Sequence, residues 1–288
     1  MKICITANTD VGCQRENNED AVAICPDLGN PDWSSDRTQG YVTLGDTGTL
    51  IVVADGMGGA KAGEVASSTA IDTVRQIFTT ETARQAIDDA TEDILLTKAV
   101  LECDKAIDRQ MIIQPETEGM GTTIVLCWLT RHKAHIAWCG DSRCYRFSDD
   151  DGLQQITKDH SYVQELIDKG IITEKEAFHH PDNNLITRVL GGNDDVTTPD
   201  VAVCDVKAGD TILLCSDGLC GYCDNKKIER VLRNGGHDPL RTADSLMRLA
   251  LRTGGEDNIS VAVATLIDDD DPEPSPSKFR GFLSNIFG

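Results

Sequence analysis

Two apolar runs in this chain of 288 residues end on an Asp-Gly pair. The pairs are Asp55-Gly56 and Asp217-Gly218. An ionised carboxylate at the end of a buried strand is tolerated mainly when it is paired with a cation or bound to a metal. Asp-Gly is also among the commonest hairpin signals, so either pair alone favours a turn. Asp151-Gly152 has polar flanks and is predicted to be such a turn.

Several carboxylates share this position at the ends of predicted strands. They are Glu19, Asp20, Asp55, Asp141, Asp217 and Asp257. None of these motifs holds a His or Cys suited to zinc, and hard carboxylate oxygens select Mg²⁺ or Mn²⁺. Two such cations about 3.5–4 Å apart can share an Asp and a water, lower the pKa of that water and direct it at a phosphorus atom. Arg15 precedes Glu19 by four residues and could bind the phosphate through its guanidinium.

The glycines of segment 55–59 also suit a ligand site, because a backbone without side chains can approach a ligand closely. A carbonyl oxygen there could complete the shell of a cation. The segment has neither the Lys-Ser/Thr ending of a phosphate-binding loop nor the Gly-x-Gly-x-x-Gly pattern of a dinucleotide site.

The elements that carry these residues follow from the apolar patterns. Residues 1–25 predict strands around a polar hinge, 26–48 a long loop or loose hairpin, and 161–184 a polar helical segment. Further strands are predicted over 122–129, 134–140, 143–147, 153–157, 201–205, 211–215 and 259–266, and helices from near 63, over 82–110, and near 225–233 and 239–252. Ile94 is assigned to the apolar side of the second helix. Runs of strands with helices gathered elsewhere favour an α+β layered fold.

Composition narrows the function classes. The net charge of −21 argues against nucleic acid or an anionic membrane surface as the main partner, because both need clustered positive charge. No run approaches the roughly 20 apolar residues of a membrane span. The first ten residues lack the apolar core of a secretory signal. The odd count of 11 cysteines fits a reducing, cytoplasmic setting.

The last 21 residues differ in composition from the rest. We predict one domain over 1–267 and a disordered acidic, Pro-Ser tail over 268–288 that ends in a short hydrophobic and basic stretch. That stretch is either a docking peptide for a partner or a frayed terminus.

Nine segments resemble, in family order, the bacterial PPM/PP2C-type metal-dependent serine/threonine protein phosphatases, and the resemblance spans about residues 6–266. They are 15–20, 53–59, 62–67, 119–123, 139–143, 153–161, 186–191, 209–219 and 255–258. The resemblance implies a four-layer αββα sandwich, in which two antiparallel sheets are flanked by helix pairs, with a small flap at about 161–184. It also implies hydrolysis of phosphoserine and phosphothreonine in proteins by metal-activated water, without a phosphoenzyme.

The resemblance carries site roles onto individual positions. Asp55 would bridge two Mn²⁺ or Mg²⁺ ions and the Gly56 carbonyl would bind the second, while Asp217 and Asp257 would bind the first. Glu19 and Asp20 would act through bound water. Asp141, with Asp217, would hold a third, weaker ion. Arg15 would bind the substrate phosphate and Asn258 would support the site.

The resemblance also leaves points open. Met57 stands where eukaryotic relatives have a His, so the general acid is not assigned. The loop at 26–48 is longer than the compact bacterial pattern. The expected partners are phosphorylated proteins, the targets of a Ser/Thr kinase.

The sequence leaves two rival functions open. Cys220-Gly-Tyr-Cys223 follows a predicted strand and precedes a predicted helix, as in thiol–disulfide oxidoreductases, and its oxidation could also perturb Asp217. The other rival is a phosphoprotein-binding module that has lost its metals. The presence of every metal-position carboxylate and of Arg15 argues against it.

Overall fold

The computed structural model describes residues 1–38, 40–58, 62–80, 89–191 and 197–270. Within these ranges the strands form two antiparallel sheets. The first sheet has the order β3-β1-β12-β11-β8-β9 and contains β1 (Lys2–Asp10), β3 (Val42–Thr43), β8 (Arg143–Ser148), β9 (Gly152–Gln155), β11 (Thr211–Cys215) and β12 (Ile259–Ile267). The second has the order β10-β7-β6-β4-β2 and contains β2 (Asp20–Cys25), β4 (Thr49–Met57), β6 (Ile124–Leu129), β7 (Lys133–Cys139) and β10 (Asp200–Asp205), with β5 (Gly121–Thr122) paired to β4.

Helices cover the outer face of each sheet. The second sheet carries α1 (Ala62–Phe78) and α2 (Asp89–Ile113), and a short 3₁₀ turn (Pro115–Thr117) follows α2. The remaining helices are α3 (Tyr162–Asp168), α4 (Glu174–Ala177), α5 (Asp217–Cys220), α6 (Asn225–Gly235) and α7 (Pro239–Arg252). Of these, α6 and α7 share a buried apolar cluster with the first sheet.

Three apolar clusters separate the four layers. One lies between α1, α2 and the second sheet, one between the two sheets, and one between the first sheet and α6 and α7. Strand β12 is buried at every position from 259 to 267. A strand that is buried on both faces needs apolar residues on both, which accounts for the mostly apolar sequence of this segment. The predicted four-layer αββα sandwich is confirmed.

Some local predictions differ from the structure, and one agrees with it. Asp55-Gly56 lies inside β4 and Asp217-Gly218 opens helix α5, so neither pair is a hairpin turn. Asp151-Gly152 does form the turn between β8 and β9, with Gly152 at a φ of 73°. Segment 161–184 contains only two short helices, α3 and α4.

The predicted apolar side of the second helix is wrong at one position. Ile94 is 69% exposed, whereas Leu95 and Leu96 pack into the core. The first part of the predicted helix, 82–88, lies outside the described residues. The loop at 26–48 is mostly irregular, with the short strand β3 and single bridges from Ser34 and Arg37 to neighbouring strands.

No helix in the described ranges is both long enough and apolar enough to span a membrane. The predicted tail at 268–288 lies outside the described residues from 271 onward. Just before that point, the Asp269 carboxylate pairs with the amino group of Met1.

Candidate metal centre

Strand ends of both sheets meet at one end of the sandwich and carry the predicted carboxylates. Asp20 begins β2 and lies directly opposite Asp55 of β4 in the antiparallel register. Residues directly opposite in such a pair have Cβ atoms about 4.5–5.5 Å apart. Asp141 follows β7, Asp217 follows β11 after one residue, and Asp257 precedes β12 by two positions. We refer to these five residues as the carboxylate cluster.

Four members of the carboxylate cluster have raised pKa values. Burial raises the pKa of Asp55 well above its usual range, and the charges of Asp20, Asp217, Asp141 and Asp257 raise it further. Burial is also the main cause that raises the pKa of Asp20 to about 7 and that of Asp217 to about 6. Burial and the Asp217 charge raise the pKa of Asp141. Like charges held this closely in a poorly solvated space call for a counter-charge.

Unpaired oxygen atoms point to the same need. Oδ1 of Asp20, Oδ1 of Asp141 and Oδ1 of Asp217 are buried and have no hydrogen-bond partner. Buried polar atoms are almost always satisfied, so a group of orphaned carboxylate oxygens indicates a missing ligand. Oxygen donors of this kind suit Mg²⁺ or Mn²⁺.

The donor set fits a centre that combines carboxylates with other oxygens. Within the described part of the chain, no three His, Cys, Asp or Glu side chains form a preformed site for a single ion. Pairs of carboxylates, a backbone carbonyl and water would therefore have to share each ion. Hard cations such as Mg²⁺ commonly use such mixed shells, because they retain several waters.

Both glycines of the Asp-Gly pairs are required by close backbone packing. A Cβ at Gly56 would collide with the carbonyl oxygen of Gly63 and lie 2.6 Å from that of Glu19. A Cβ at Gly218 would collide with the carbonyl oxygen of Asn258. Each glycine thus lets the strand end that bears an Asp approach the neighbouring chain segment.

Asn258 holds the loop that carries Arg15 and Glu19. Its Nδ2 donates to the carbonyl oxygens of Val11 (3.0 Å) and Asn17 (2.9 Å), and its Oδ1 accepts from the Glu19 backbone N–H (2.8 Å). Asn258 is 5% exposed, so these bonds are protected from water. The role of Asn258 in supporting the site stays a prediction.

Arg15 lies at the rim of the cluster. Its Nη2 contacts Oδ2 of Asp257 at 2.7 Å, while half of its side chain stays exposed. The hydrogen bond to Asp257 raises the pKa of Arg15, so the guanidinium stays charged. The sequence did not indicate this pairing. A phosphate bound by Arg15 would share the guanidinium with Asp257.

Glu19 approaches the first turn of α1. Burial raises the pKa of its carboxyl, and a hydrogen bond with the Gly63 backbone opposes that shift. A Cβ at Gly63 would lie 2.9 Å from Glu19 Oε2, so this glycine makes room for the carboxylate.

Hydroxyl groups that the sequence did not single out connect the two sheets at this end. Ser216 Oγ donates to Asp20 Oδ2 (2.7 Å) and accepts from the Ser260 backbone N–H (2.9 Å). Thr123 Oγ1 bonds with Ser142 Oγ at 2.8 Å, and the Thr123 N–H donates to the Asp55 carbonyl oxygen at 2.8 Å. In the sequence, Ser142 and Ser216 are marked only by the Asp next to them, and Thr123 only by its place in segment 119–123.

A cavity of about 400 Å³ opens beside the cluster. Its lining includes Asp141 and Asp217 of the cluster and Asn183 and Asn184 of segment 161–184. The predicted flap therefore lines the same cavity as two members of the cluster. Its assignment as a flap stays a prediction.

The Cys220/Cys223 pair does not resemble a redox site. Both thiols are buried, and Cys223 Sγ lies 3.3 Å from Thr253 Oγ1. A hydrogen bond with Cys215 and burial raise the pKa of Cys220, and burial raises that of Cys223. Reactive cysteines need an accessible thiol with a lowered pKa, which is the opposite arrangement.

Comparisons with known proteins agree with this geometry. The family model of protein phosphatase 2C matches residues 32–253. The chain is 36% identical over 272 residues to the serine/threonine protein phosphatase PstP of Mycobacterium tuberculosis, and the match covers 94% of this chain and 46% of PstP. The chain thus spans about half the length of that relative.

Solved structures show the same fold. The crystal structure of the PstP catalytic domain in complex with two manganese ions has a TM-score of 0.74 at 34% identity, covering 93% of this chain and 99% of that one. The structure of Stp1 from Staphylococcus aureus has a TM-score of 0.78 at 32% identity, covering 92% and 95%. On the match over most of its length, this chain belongs to the protein phosphatase 2C family.

Proposed function

We propose that this protein is a metal-dependent protein serine/threonine phosphatase, and that the carboxylate cluster holds its divalent cations. The observation that carries the proposal is the set of buried, unpaired carboxylate oxygens at one end of the paired sheets. The PstP catalytic domain, which is similar over nearly its whole length, was solved with two manganese ions.

The proposed cation ligands are assigned as follows. Asp55 would be a ligand of both Mn²⁺ or Mg²⁺ ions, the Gly56 carbonyl would help to hold one of them, and Asp217 and Asp257 would help to hold the other. Glu19 and Asp20 contribute through water. When bound, the cations supply Lewis-acid stabilisation and a water of lowered pKa. A third ion at Asp141 and Asp217 is part of the proposal, supported by the orphaned Oδ1 of each residue.

The chain's own residues bind and orient the substrate. Arg15 stays charged and exposed at the rim, so it can bind the phosphate bidentately. Asn258 fixes the loop that carries Arg15 through its bonds to Val11 and Asn17. No His follows the first Asp-Gly pair, and the source of the proton for the leaving oxygen is left unassigned.

The substrates proposed are phosphoserine and phosphothreonine residues of proteins phosphorylated by a Ser/Thr kinase. Support comes from PstP and Stp1, which are both named serine/threonine phosphatases. A cytoplasmic location is proposed from the cysteine usage alone.

Hydrolysis assays test the proposal. The protein should hydrolyse p-nitrophenyl phosphate and a phosphothreonine peptide with Mn²⁺ and lose both activities in EDTA. Asp55→Asn should lower kcat by at least about a thousandfold, because it removes the shared ligand. Asp36→Asn, a change at an exposed acid outside the cluster, is the matched control and should leave kcat unchanged. Full activity in EDTA or in Asp55→Asn would refute the assignment.

The metal-free phosphoprotein-binding module is the second candidate. It would bind phosphopeptides through Arg15 without turnover and without a response to Mn²⁺. The unpaired oxygens of the cluster favour the enzyme, because a module that had lost its metals would gain stability by replacing these carboxylates.

A further inference from the structure

Arg143 is the cation nearest to Asp141 along the chain, and the structure pairs it with another residue. Its Nε and Nη2 donate to the two oxygens of Asp159 at 2.8 and 2.6 Å. Its Nη1 donates to Tyr145 Oη at 3.0 Å. Two parallel charge-assisted bonds fix a guanidinium in one orientation. Arg143 is thus held by Asp159 and Tyr145, although Asp141 is only two residues away.

Asp141 keeps an unpaired oxygen despite this neighbouring cation. Its side chain is 6% exposed, and its Oδ1 has no hydrogen-bond partner. The Arg143 charge lowers the pKa of Asp141, but burial and the charges of Asp217 and Asp159 outweigh it. A guanidinium that binds a carboxylate oxygen competes with a metal ion for that oxygen, because both are positively charged.

The same short segment also fixes the backbone on the other side of Asp141. The Gly140 N–H donates to His160 Nδ1 at 3.0 Å, and the His160 N–H donates to the Gly140 carbonyl oxygen at 3.0 Å. Asp159 therefore holds Arg143, and the adjacent His160 holds Gly140. Gly140 and Arg143 flank Asp141 and Ser142 in the sequence. The buried position of His160 protects both bonds from water.

We propose that Asp159 is a positioning residue that holds Arg143 away from Asp141, and thereby keeps Asp141 free to bind a divalent cation. This rests on the proposed function, because it assumes that Asp141 is a ligand of the third, weaker ion. Arg143 and Asp159 also line the cavity between Asp141 and segment 161–184. In this arrangement the strength of the weak cation site depends on a salt bridge that touches neither the ion nor the phosphate.

Removal of Asp159 should release Arg143 to neutralise Asp141. In Asp159→Asn, the Mn²⁺ concentration that half-fills the weakest site should rise about tenfold. The double variant Arg143→Gln/Asp159→Asn should return to within about threefold of wild type, because it also removes the competing cation. If the Arg143–Asp159 pair had only a structural role, the double variant should bind Mn²⁺ no better than Asp159→Asn does, because it has lost both partners.

Manganese electron paramagnetic resonance on EDTA-treated protein measures bound and free Mn²⁺ directly, without turnover. Asp168→Asn is the matched control, because it removes a carboxylate from the exposed pair with Lys158 and should leave all sites unchanged. Asp141→Asn should bind one ion fewer than wild type. Circular dichroism checks that each variant is folded.

Three results would overturn the inference. The first is an Asp159→Asn variant that binds Mn²⁺ as wild type does, and the second is a double variant that binds as weakly as Asp159→Asn. The third is an unchanged ion count in Asp141→Asn, which would remove Asp141 as a ligand. That last result leaves the two-ion phosphatase intact, whereas failure of the proposed function itself would appear as metal-independent turnover or as activity in Asp55→Asn.

Discussion

Residue scale: the carboxylates at the end of the two sheets repel one another in the absence of a counter-charge. The pKa values of Asp20, Asp55 and Asp217 are raised, so the folded chain holds protons that the unfolded chain has already released. Acidification protonates the cluster and relieves the repulsion, whereas Asp217 ionises again as pH rises through about 6 and Asp20 as it rises through about 7.

Divalent cations should therefore stabilise the protein more in mildly alkaline than in acidic solution. At about pH 7.5 Asp217 and Asp20 are mostly ionised and Mn²⁺ offsets their repulsion, while at about pH 5 protons compete with Mn²⁺ for the same oxygens. We expect a clear rise in Tm with Mn²⁺ at the higher pH and little or none at the lower. Differential scanning fluorimetry measures this, with Asp55→Asn as the control. An equal rise at both values would contradict the account.

The glycines of the Asp-Gly pairs give a second prediction at this scale. Gly218→Ala should lower the free energy of unfolding by about 1–3 kcal/mol, because the new Cβ collides with the Asn258 carbonyl oxygen. Gly45→Ala is the matched control, since its Cβ would lie 3.1 Å from the end of the Asp27 side chain, which can move. Urea denaturation compares the two. A loss in Gly45→Ala as large as in Gly218→Ala would show that the collision is not the cause.

Element scale: helix α2 is joined to strand β7 through a buried histidine. His135 Nε2 lies 2.7 Å from Glu92 Oε2, and its Nδ1 lies 2.9 Å from Asp93 Oδ1. Burial alone would lower the pKa of His135, but the bonds to Glu92 and Asp93 outweigh burial and raise it. The doubly paired imidazolium thus fixes the first turns of α2 against the second sheet.

This contact should make stability depend on pH. The pKa of His135 is higher in the folded chain, so its two ion pairs stabilise the fold fully below the usual histidine pKa of 6.5. This stabilisation is lost as pH rises through the higher pKa of the folded state. The difference in free energy of unfolding between wild type and His135→Gln should therefore shrink from about pH 6 to about pH 9. Urea titrations at several pH values measure it, with His132→Gln as the control. A difference that is constant or grows with pH would refute the role of His135.

The elements also show which features the sequence could indicate. Strand ends and Asp-Gly pairs are local patterns, so the cluster and a layered α+β fold were predictable from them. The four layers followed from the resemblance of the ordered segments to a known family. The Arg15–Asp257 contact joins residues 242 positions apart, and no local pattern indicates such a pair. The exposure of Ile94 was missed for a related reason, because helical spacing alone does not say which of two adjacent apolar residues faces the sheet.

Whole-molecule scale: the domain boundary near 267 stays a prediction. The last described strand ends at Ile267, where it pairs with Lys2 of β1, and Asp269 still contacts the amino terminus. Removal of 271–288 should therefore change Tm by no more than about 2 °C and leave hydrolysis of p-nitrophenyl phosphate unchanged, because those residues lie beyond the paired strands. Thermal unfolding and steady-state kinetics of the shortened chain measure this. A large fall in Tm would show that the domain extends into the tail.

The acidity of the whole molecule matters most at the cluster. A net charge of −21 gives a field that attracts divalent cations over long distances and weakens with salt. The buried, unpaired oxygens determine where those cations are held. The general acidity and the specific site are therefore separate contributions to metal binding.

The number of Mn²⁺ ions bound per chain tests the central claim most directly. Equilibrium dialysis of EDTA-treated protein, with metal analysis of both chambers, gives this number without an assay of activity. The account predicts at least two ions for wild type and the loss of tight binding in a folded Asp55→Asn variant. Wild-type protein that binds no Mn²⁺, or Asp55→Asn that binds it equally well, would contradict the assignment of the carboxylate cluster as the metal centre.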